Sequence, residues 1–210
     1  MTCLLLIRHG RSTWNAERRV QGVADPPLDD VGEEQARMLA ERLRQEQADL
    51  VALYSSPLQR AYRTAEIIGA ALQVPVEIDE RLAEHDAGHL TGLTWPEVIV
   101  QHPDLVRQLE EDPQNAVFPG AEDLTTFRAK VAQAFDEIVT RHAPGPVGIV
   151  THGGTLSVYL HHLLGLPNRS LSFRFGNASL STIHVHPVRP RIDFLNDTSH
   201  WQTKLKDVSR

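Results

Sequence analysis

The residues with the clearest chemical potential stand at the end of the first apolar run, where Arg8, His9 and Gly10 follow residues 3–7 directly. Moving a phosphoryl group requires a nucleophile, cations or donors for the equatorial oxygens, and an acid for the leaving oxygen. Neutral imidazole is a good nucleophile near pH 7, because a pKa of roughly 6.5 leaves one ring nitrogen with a free lone pair. The neighbouring arginine brings a planar fork suited to phosphate, and the glycine lets an anion approach the backbone. Arg-His-Gly alone is a short, common tripeptide, and a lone histidine is more often structural. Its weight comes from company. Four segments stand in order: Arg8-His9-Gly10-x-Ser12-x-x-Asn15, Ser55-Ser56-Pro57-x-x-Arg60-x-x-x-Thr64-Ala65, Glu84-x-x-x-Gly88-x-x-x-Gly92 and Val150-Thr151-His152-Gly153-Gly154.

Such residues need a frame that presents them together. Residues 3–7 are continuously apolar and run into a polar turn, the pattern of a buried parallel strand ending in a functional loop. Sites in α/β proteins form at such strand ends. Residues 30–47 place Ala36, Leu39, Ala40 and Leu43 at helical spacing among charges, which predicts an amphipathic helix packed on a sheet. A strand at 50–54 leads to Pro57, which suits the first turn of a helix over 57–72, where proline's missing N–H costs nothing. A third strand is expected at 74–78. The stretch 81–92 has no period and is rich in His, Asp, Glu and Gly, a loop composition.

Pro96, Pro103, Pro113 and Pro119 break the next stretch and point to short helices inserted as a cap, at about residues 93–121. Leu124, Phe127, Val131, Phe135 and Ile138 stripe a helix over 123–141. Residues 146–151 repeat the opening pattern, an apolar strand running into His-Gly-Gly and then a helix closed by Gly165 and Pro167. Later strands at 178–186 and 191–195 are expected at the sheet edge, and 204–210 reads as a loosely held tail. The expected architecture is one α/β domain over 1–210, a three-layer sandwich whose mostly parallel central sheet is flanked by helices and carries a small helical cap insertion.

Composition narrows the partners. The 210 residues carry a formal net charge of −6, which argues against nucleic acid, since such binding needs a concentrated basic face. No apolar run approaches the roughly 20 residues that span a bilayer, and residues 4–7 are too short for a signal-peptide core, so no membrane contact and a cytoplasmic location are expected. The single cysteine, Cys3, reads as a small buried hydrophobe. His184 and His186 alternate on a strand, but no Cys or carboxylate has matching spacing, so no metal site is expected. His161 and His162 read as surface or capping residues.

The ordered motifs resemble the histidine phosphatase superfamily, the phosphoglycerate mutase-like proteins, with the match reaching Asn196-Asp197-Thr198-Ser199-His200. The resemblance implies that His9 takes the phosphoryl group as a phosphohistidine, which water or an acceptor hydroxyl then attacks. It places Arg8, Arg60 and His152 in the phosphate pocket, adds Asn15 as a further contact, and makes Glu84 the general acid. It puts Ser12, Gln21, Gly22 and Gly153 beside that pocket, more as support than as chemistry. Asp86 is a rival acid, though the spacing to Gly88 favours Glu84. Arg11 stands where relatives usually carry Glu or Gln, and it either adds a cation at the pocket mouth or points to water. Arg63, one helical turn after Arg60, reads as solvating the helix face only.

The chain departs from that pattern between Glu84 and Gly92, where Ala87, Leu90 and Thr91 replace two aromatic residues and an acid common in the phosphatase branch. The substrate wall is therefore less typical than the phosphate pocket. A mutase must hold a second anionic group, yet between Glu84 and Phe127 the only basic side chain of Lys or Arg type is Arg107. The expected function is hydrolysis of small phosphomonoester metabolites without metal or cofactor, with a homodimer compatible with the sequence. A cofactor-dependent phosphoglycerate mutase and a non-catalytic phospholigand-binding module are the alternatives.

Overall fold

The structure is a computed structural model that describes residues 1–113, 116–167, 170–186 and 188–201. The tail expected at 204–210 lies outside them. Six strands form one mixed sheet: β1 (Thr2–Arg8), β2 (Ala52–Ser55), β3 (Val76–Ile78), β4 (Pro146–Thr151), β5 (Leu180–Val185) and β6 (Arg191–Asp197), in the spatial order β3-β2-β4-β1-β5-β6. The first four in that order are parallel, β5 runs antiparallel to β1, and β6 runs antiparallel to β5. Of the two late strands expected at the edge, only β6 lies there, because β5 pairs with the central β1.

Alternation along β1 shows why two helical layers are needed. Leu4 and Leu6 face one side and pack with Phe127, Phe135, Leu156 and Tyr159, while Leu5 and Ile7 face the other and pack with Leu39, Leu43, Ala65 and Ile68. The first layer comes from α6 (Leu124–Arg141) and α7 (Gly153–Leu164), the second from α2 (Asp30–Gln45) and α3 (Gln59–Leu72). Burying each such side chain contributes roughly 1.5–3 kcal/mol. Asp29 caps α2, its Oδ1 accepting from the Gly32 N–H at 2.7 Å. Helix α3 begins two residues after Pro57, and the Ser56 hydroxyl accepts the Leu58 N–H that precedes it.

Within the range expected for the cap lie α4 (Trp95–Gln101) and α5 (Pro103–Glu111). Val98 and Leu105 are their only fully buried residues, and they gather with Ala87, Leu90 and Ala116 in a cluster separate from the two main cores. A one-turn helix unforeseen in the sequence, α1 (Thr13–Ala16), follows β1 and is closed by a reciprocal capping box between Ser12 and Asn15.

Candidate active site

Parallel pairing of β1 with β4 sets Arg8 opposite Thr151, so the next residues, His9 and His152, leave adjacent strand ends at the same level. Here β1 has a parallel neighbour on one side and an antiparallel one on the other, and the helices that follow diverge to opposite faces, which opens a crevice at the strand ends. The two imidazoles lie with centroids 5.1 Å apart and planes at 57°. Both are at most 2% exposed.

The ring nitrogens of His9 are distinguished by a hydrogen bond. Nδ1 lies 2.7 Å from the Gly10 carbonyl, which can only accept, so Nδ1 carries the hydrogen and Nε2 of the neutral ring keeps its lone pair. Burial, followed by the charges of Arg8 and Arg60, holds the His9 pKa well below the usual histidine range. His152 is lowered in the same direction, by burial first and then by His9, Arg60 and Arg8. Both rings are therefore neutral at pH 7.

The cations are tethered from behind. Arg8 Nη1 donates to the Phe175 carbonyl at 2.5 Å, and Arg60 donates from Nη1 to Ala24 and from Nη2 to Gly22 at 2.7 and 2.9 Å. Burial pushes the Arg60 guanidinium down to about 10 and lowers Arg8 as well, while Glu84 opposes both shifts. The Nε atoms of both arginines are buried without an acceptor among the described residues. Buried donors of this kind are rare unless a ligand or water serves them.

Glu84 is placed by the start of α7. Its Oε2 accepts the Gly154 N–H at 2.9 Å and its Oε1 accepts the His85 N–H at 2.9 Å. It thereby caps a helix whose own N-cap, His152, offers no side-chain bond. A Cβ at Gly154 would fall on Glu84 Oε1, so the second glycine of His152-Gly153-Gly154 is needed for this approach. At Gly153 a Cβ would sit 3.7 Å from Arg8 Nε, an ordinary contact.

Asn15 accepts three bonds at Oδ1, from the Ser12 N–H, the Ser12 hydroxyl and Asn177 Nδ2, which leaves its own amide N–H groups as the end available to a ligand. Ser12 is fully buried and also lies 2.7 Å from Gln21 Oε1, so it supports Asn15 and Gln21 from behind. Gly22 adopts φ of 52°, and a Cβ there would meet the Ala87 nitrogen at 2.8 Å.

A cavity of about 600 Å3 brings together Arg8, His9, Asn15, Gln21, Gly22, Arg60, Glu84 and Gly154. His152 does not line it but lies against His9, and Ser12 is in contact with the lining residues Asn15 and Gln21. The residues left open or disfavoured in the sequence have partners elsewhere. Arg11 turns away and pairs with Asp29 at 2.7 Å, Arg63 pairs with Glu33 at 3.1 Å, and Asp86 caps the turn at the Gly88 N–H. None of the three lines the cavity. His161, read as a surface or capping residue, is 2% exposed and lines the cavity wall. His184 does meet a carboxylate, with Nε2 2.8 Å from Asp193 Oδ2, although the described residues hold no cluster of three metal-ligating side chains. Cys3 is half-buried.

The aromatic residues missing between Glu84 and Gly92 are replaced from a distance. Phe118 and Phe127 line the cavity and flank the His85 ring, with centroids 6.3 and 4.9 Å away. Sequence reading assigned no role to Ser56, Thr64 or Asn177. Ser56 Oγ lies 2.7 Å from His152 Nε2, Thr64 Oγ1 accepts the Gly10 N–H at 3.0 Å, and Asn177 reaches Asn15. Ser56 and Thr64 stood inside a quoted motif. Asn177 had no local signal.

The chain is similar to several known proteins. The chain is 36% identical over 201 residues to phosphoserine phosphatase 1 of Hydrogenobacter thermophilus, covering 95% of this chain and 94% of that one. It is 34% identical to the metal-independent phosphoserine phosphatase of Arabidopsis thaliana, covering 95% and 83%. Among solved structures, Bacillus stearothermophilus YhfR superposes with a TM-score of 0.85 at 32% identity, covering 95% of this chain and 99% of that one. With residues 4–198 matching the histidine phosphatase superfamily (branch 1), the chain belongs to that family.

Proposed function

We propose that the chain is a metal-independent phosphomonoesterase acting through His9, on small metabolites of the phosphoserine type. The observation that carries this reading is the neutral His9 ring, its Nδ1–H held by Gly10, beside two arginines whose Nε atoms have no acceptor among the described residues. The Nε2 lone pair attacks phosphorus as the bond to the leaving oxygen breaks, and Arg8 and Arg60 stabilise the charge on the equatorial oxygens. Glu84, bearing a proton, gives it to the departing alkoxide. As a carboxylate it then takes a proton from the water that attacks the phosphohistidine, releasing orthophosphate and restoring both groups. Asn15 donates to the same phosphate, with Ser12, Gln21 and Gly22 holding the pocket's shape.

Support for the substrate class comes from the relatives named for phosphoserine. Hydrolysis fits better than mutase chemistry, because Arg107 pairs with Asp104 on the exposed side of α5 and does not line the cavity. We place the enzyme in the cytoplasm, with residues 93–121 as a cap on a single domain. Among the described residues no helix is long and apolar enough to cross a membrane. Incubation with labelled phosphomonoester in EDTA, followed by acid and alkaline quenching, tests the reading. An alkali-stable, acid-labile label on His9 is expected, and an active protein that never carries it would refute the covalent route. A panel with phosphoserine and 3-phosphoglycerate, with and without 2,3-bisphosphoglycerate, separates release from isomerisation.

A further inference from the structure

Ser56 and His152 form a fully buried pair that the mechanism above leaves undetermined: a neutral imidazole has one N–H, and which nitrogen carries it decides what His152 offers the phosphate. Oγ of Ser56 lies 2.7 Å from His152 Nε2 and accepts the Leu58 N–H at 3.2 Å. Both side chains are 0% exposed, and His152 Nδ1 is buried without a hydrogen-bond partner among the described residues. The Ser56 backbone is tied to β4 through its N–H to the Val150 carbonyl, so the hydroxyl cannot drift from the ring.

The donors and acceptors can be counted. Ser56 has one hydroxyl hydrogen and two lone pairs, one of them serving Leu58. If Nε2 carried the hydrogen, it would donate to the second lone pair, and the buried Ser56 O–H would have no acceptor among the hydrogen bonds of the described residues. The Nδ1 lone pair would also be unserved among the described residues. If Ser56 donates instead to Nε2, the hydroxyl and Nε2 are both satisfied, and the single group left over is an Nδ1–H donor. Buried polar groups are costly to leave unserved, so the second arrangement wins.

We propose that Ser56 is a positioning residue: it holds His152 in the Nδ1–H tautomer, so that a neutral histidine donates from Nδ1 to an oxygen of the phosphoryl group on its way to and from His9. The proposal rests on the phosphatase reading for its kinetic consequence only. It also explains why neutrality does not disable His152, whose pKa burial and the neighbouring His9, Arg60 and Arg8 hold low. The two histidines then share one device. Each has a ring nitrogen engaged by a neighbour, Gly10 O for His9 and Ser56 Oγ for His152, and each turns the other nitrogen to the reaction, as lone pair in one and as donor in the other.

Long-range 1H–15N correlation spectra of the full-length protein labelled at histidine nitrogens, with orthophosphate as the probe, read the tautomer. The His152 signals are assigned by their loss in His152→Asn. The expected result is a protonated Nδ1 and an unprotonated Nε2 in wild type, shifted toward the other tautomer in Ser56→Ala. A wild-type Nε2–H signal overturns the proposal without any variant.

In kinetics, Ser56→Ala should lower kcat for p-nitrophenyl phosphate on the order of 10- to 100-fold with KM changed less than threefold, as when a reactive ring loses its orienting partner. Ser56→Thr, which keeps the hydroxyl, should recover most of the loss, and a folded Ser56→Ala with wild-type kcat overturns the role. If wild type hydrolysed no phosphomonoester, the phosphatase reading would fall, while the wild-type spectrum would still decide the tautomer.

Discussion

Around the phosphate pocket His9, Ser56, Arg60 and His152 are at most 2% exposed, whereas α4 and α5, which pack behind the far wall formed by Ala87 and Phe118 and contribute no lining residue themselves, bury one side chain each and leave Trp95, Ile99 and Val100 exposed. The two regions are held by different physics. The pocket sits on a β1–β4 ladder of six residue pairs, and Arg8, Arg60, Glu84 and Thr151 are each anchored to a backbone group distant in sequence. The far wall rests on a cluster of five buried side chains and on loop segments from three parts of the chain. In the function proposed above, the rigid pocket sets the reaction and the lightly packed wall sets what the phosphate is attached to. The departures from family pattern between Glu84 and Gly92 fall on that second side.

The strongest break in the comparison is His9→Ala, which should reduce hydrolysis of every phosphomonoester by at least roughly 10^4-fold, read as phosphate release, since no other group provides the lone pair. A smaller, substrate-dependent effect is expected from Gly154→Ala. The new methyl displaces Glu84, so kcat for an alkyl phosphate should fall roughly 100-fold, and kcat for p-nitrophenyl phosphate, whose leaving group scarcely needs a proton, far less. Equal losses on both substrates would place the acid elsewhere.

The buried histidines also write themselves into pH dependence. Their folded pKa values are lowered, so below about 6.5 the unfolded chain binds protons that the folded chain refuses, and stability falls as pH drops from 6.5 toward the lowered values. Each ring contributes up to about 1.4 kcal/mol per pH unit over that window, measurable by urea unfolding at pH 7 and pH 5. Removing one ring in His9→Asn should flatten the slope. In the far wall, Leu105→Ala should cost about 2 kcal/mol locally. It should speed amide exchange in α4 and α5 while β1 and β4 keep their protection, with kcat for p-nitrophenyl phosphate within twofold of wild type. Smallest of all, Arg11→Ala should leave kcat unchanged and cost at most about 1 kcal/mol, because its pair with Asp29 is partly exposed and lies outside the cavity.

Much of this was legible in one dimension. The apolar runs before His9 and His152, the stripes of α2 and α6 and the Gly-Gly after His152 all act within a few residues, and period and spacing record them faithfully. The family motif carried the site further, uniting Arg60 and Glu84 with the two histidines. What only the tertiary structure decided lies in contacts between distant segments: Asn177 on Asn15, Ser56 on His152, Phe118 and Phe127 in place of local aromatics, Arg11 turned to Asp29, and His161 folded into the wall. Those outcomes depend on strand register, on the angle at which helices leave the sheet, and on which lone pair meets which hydrogen. None of these has a signature in the spacing of residues along a chain, because each is a property of two segments at once.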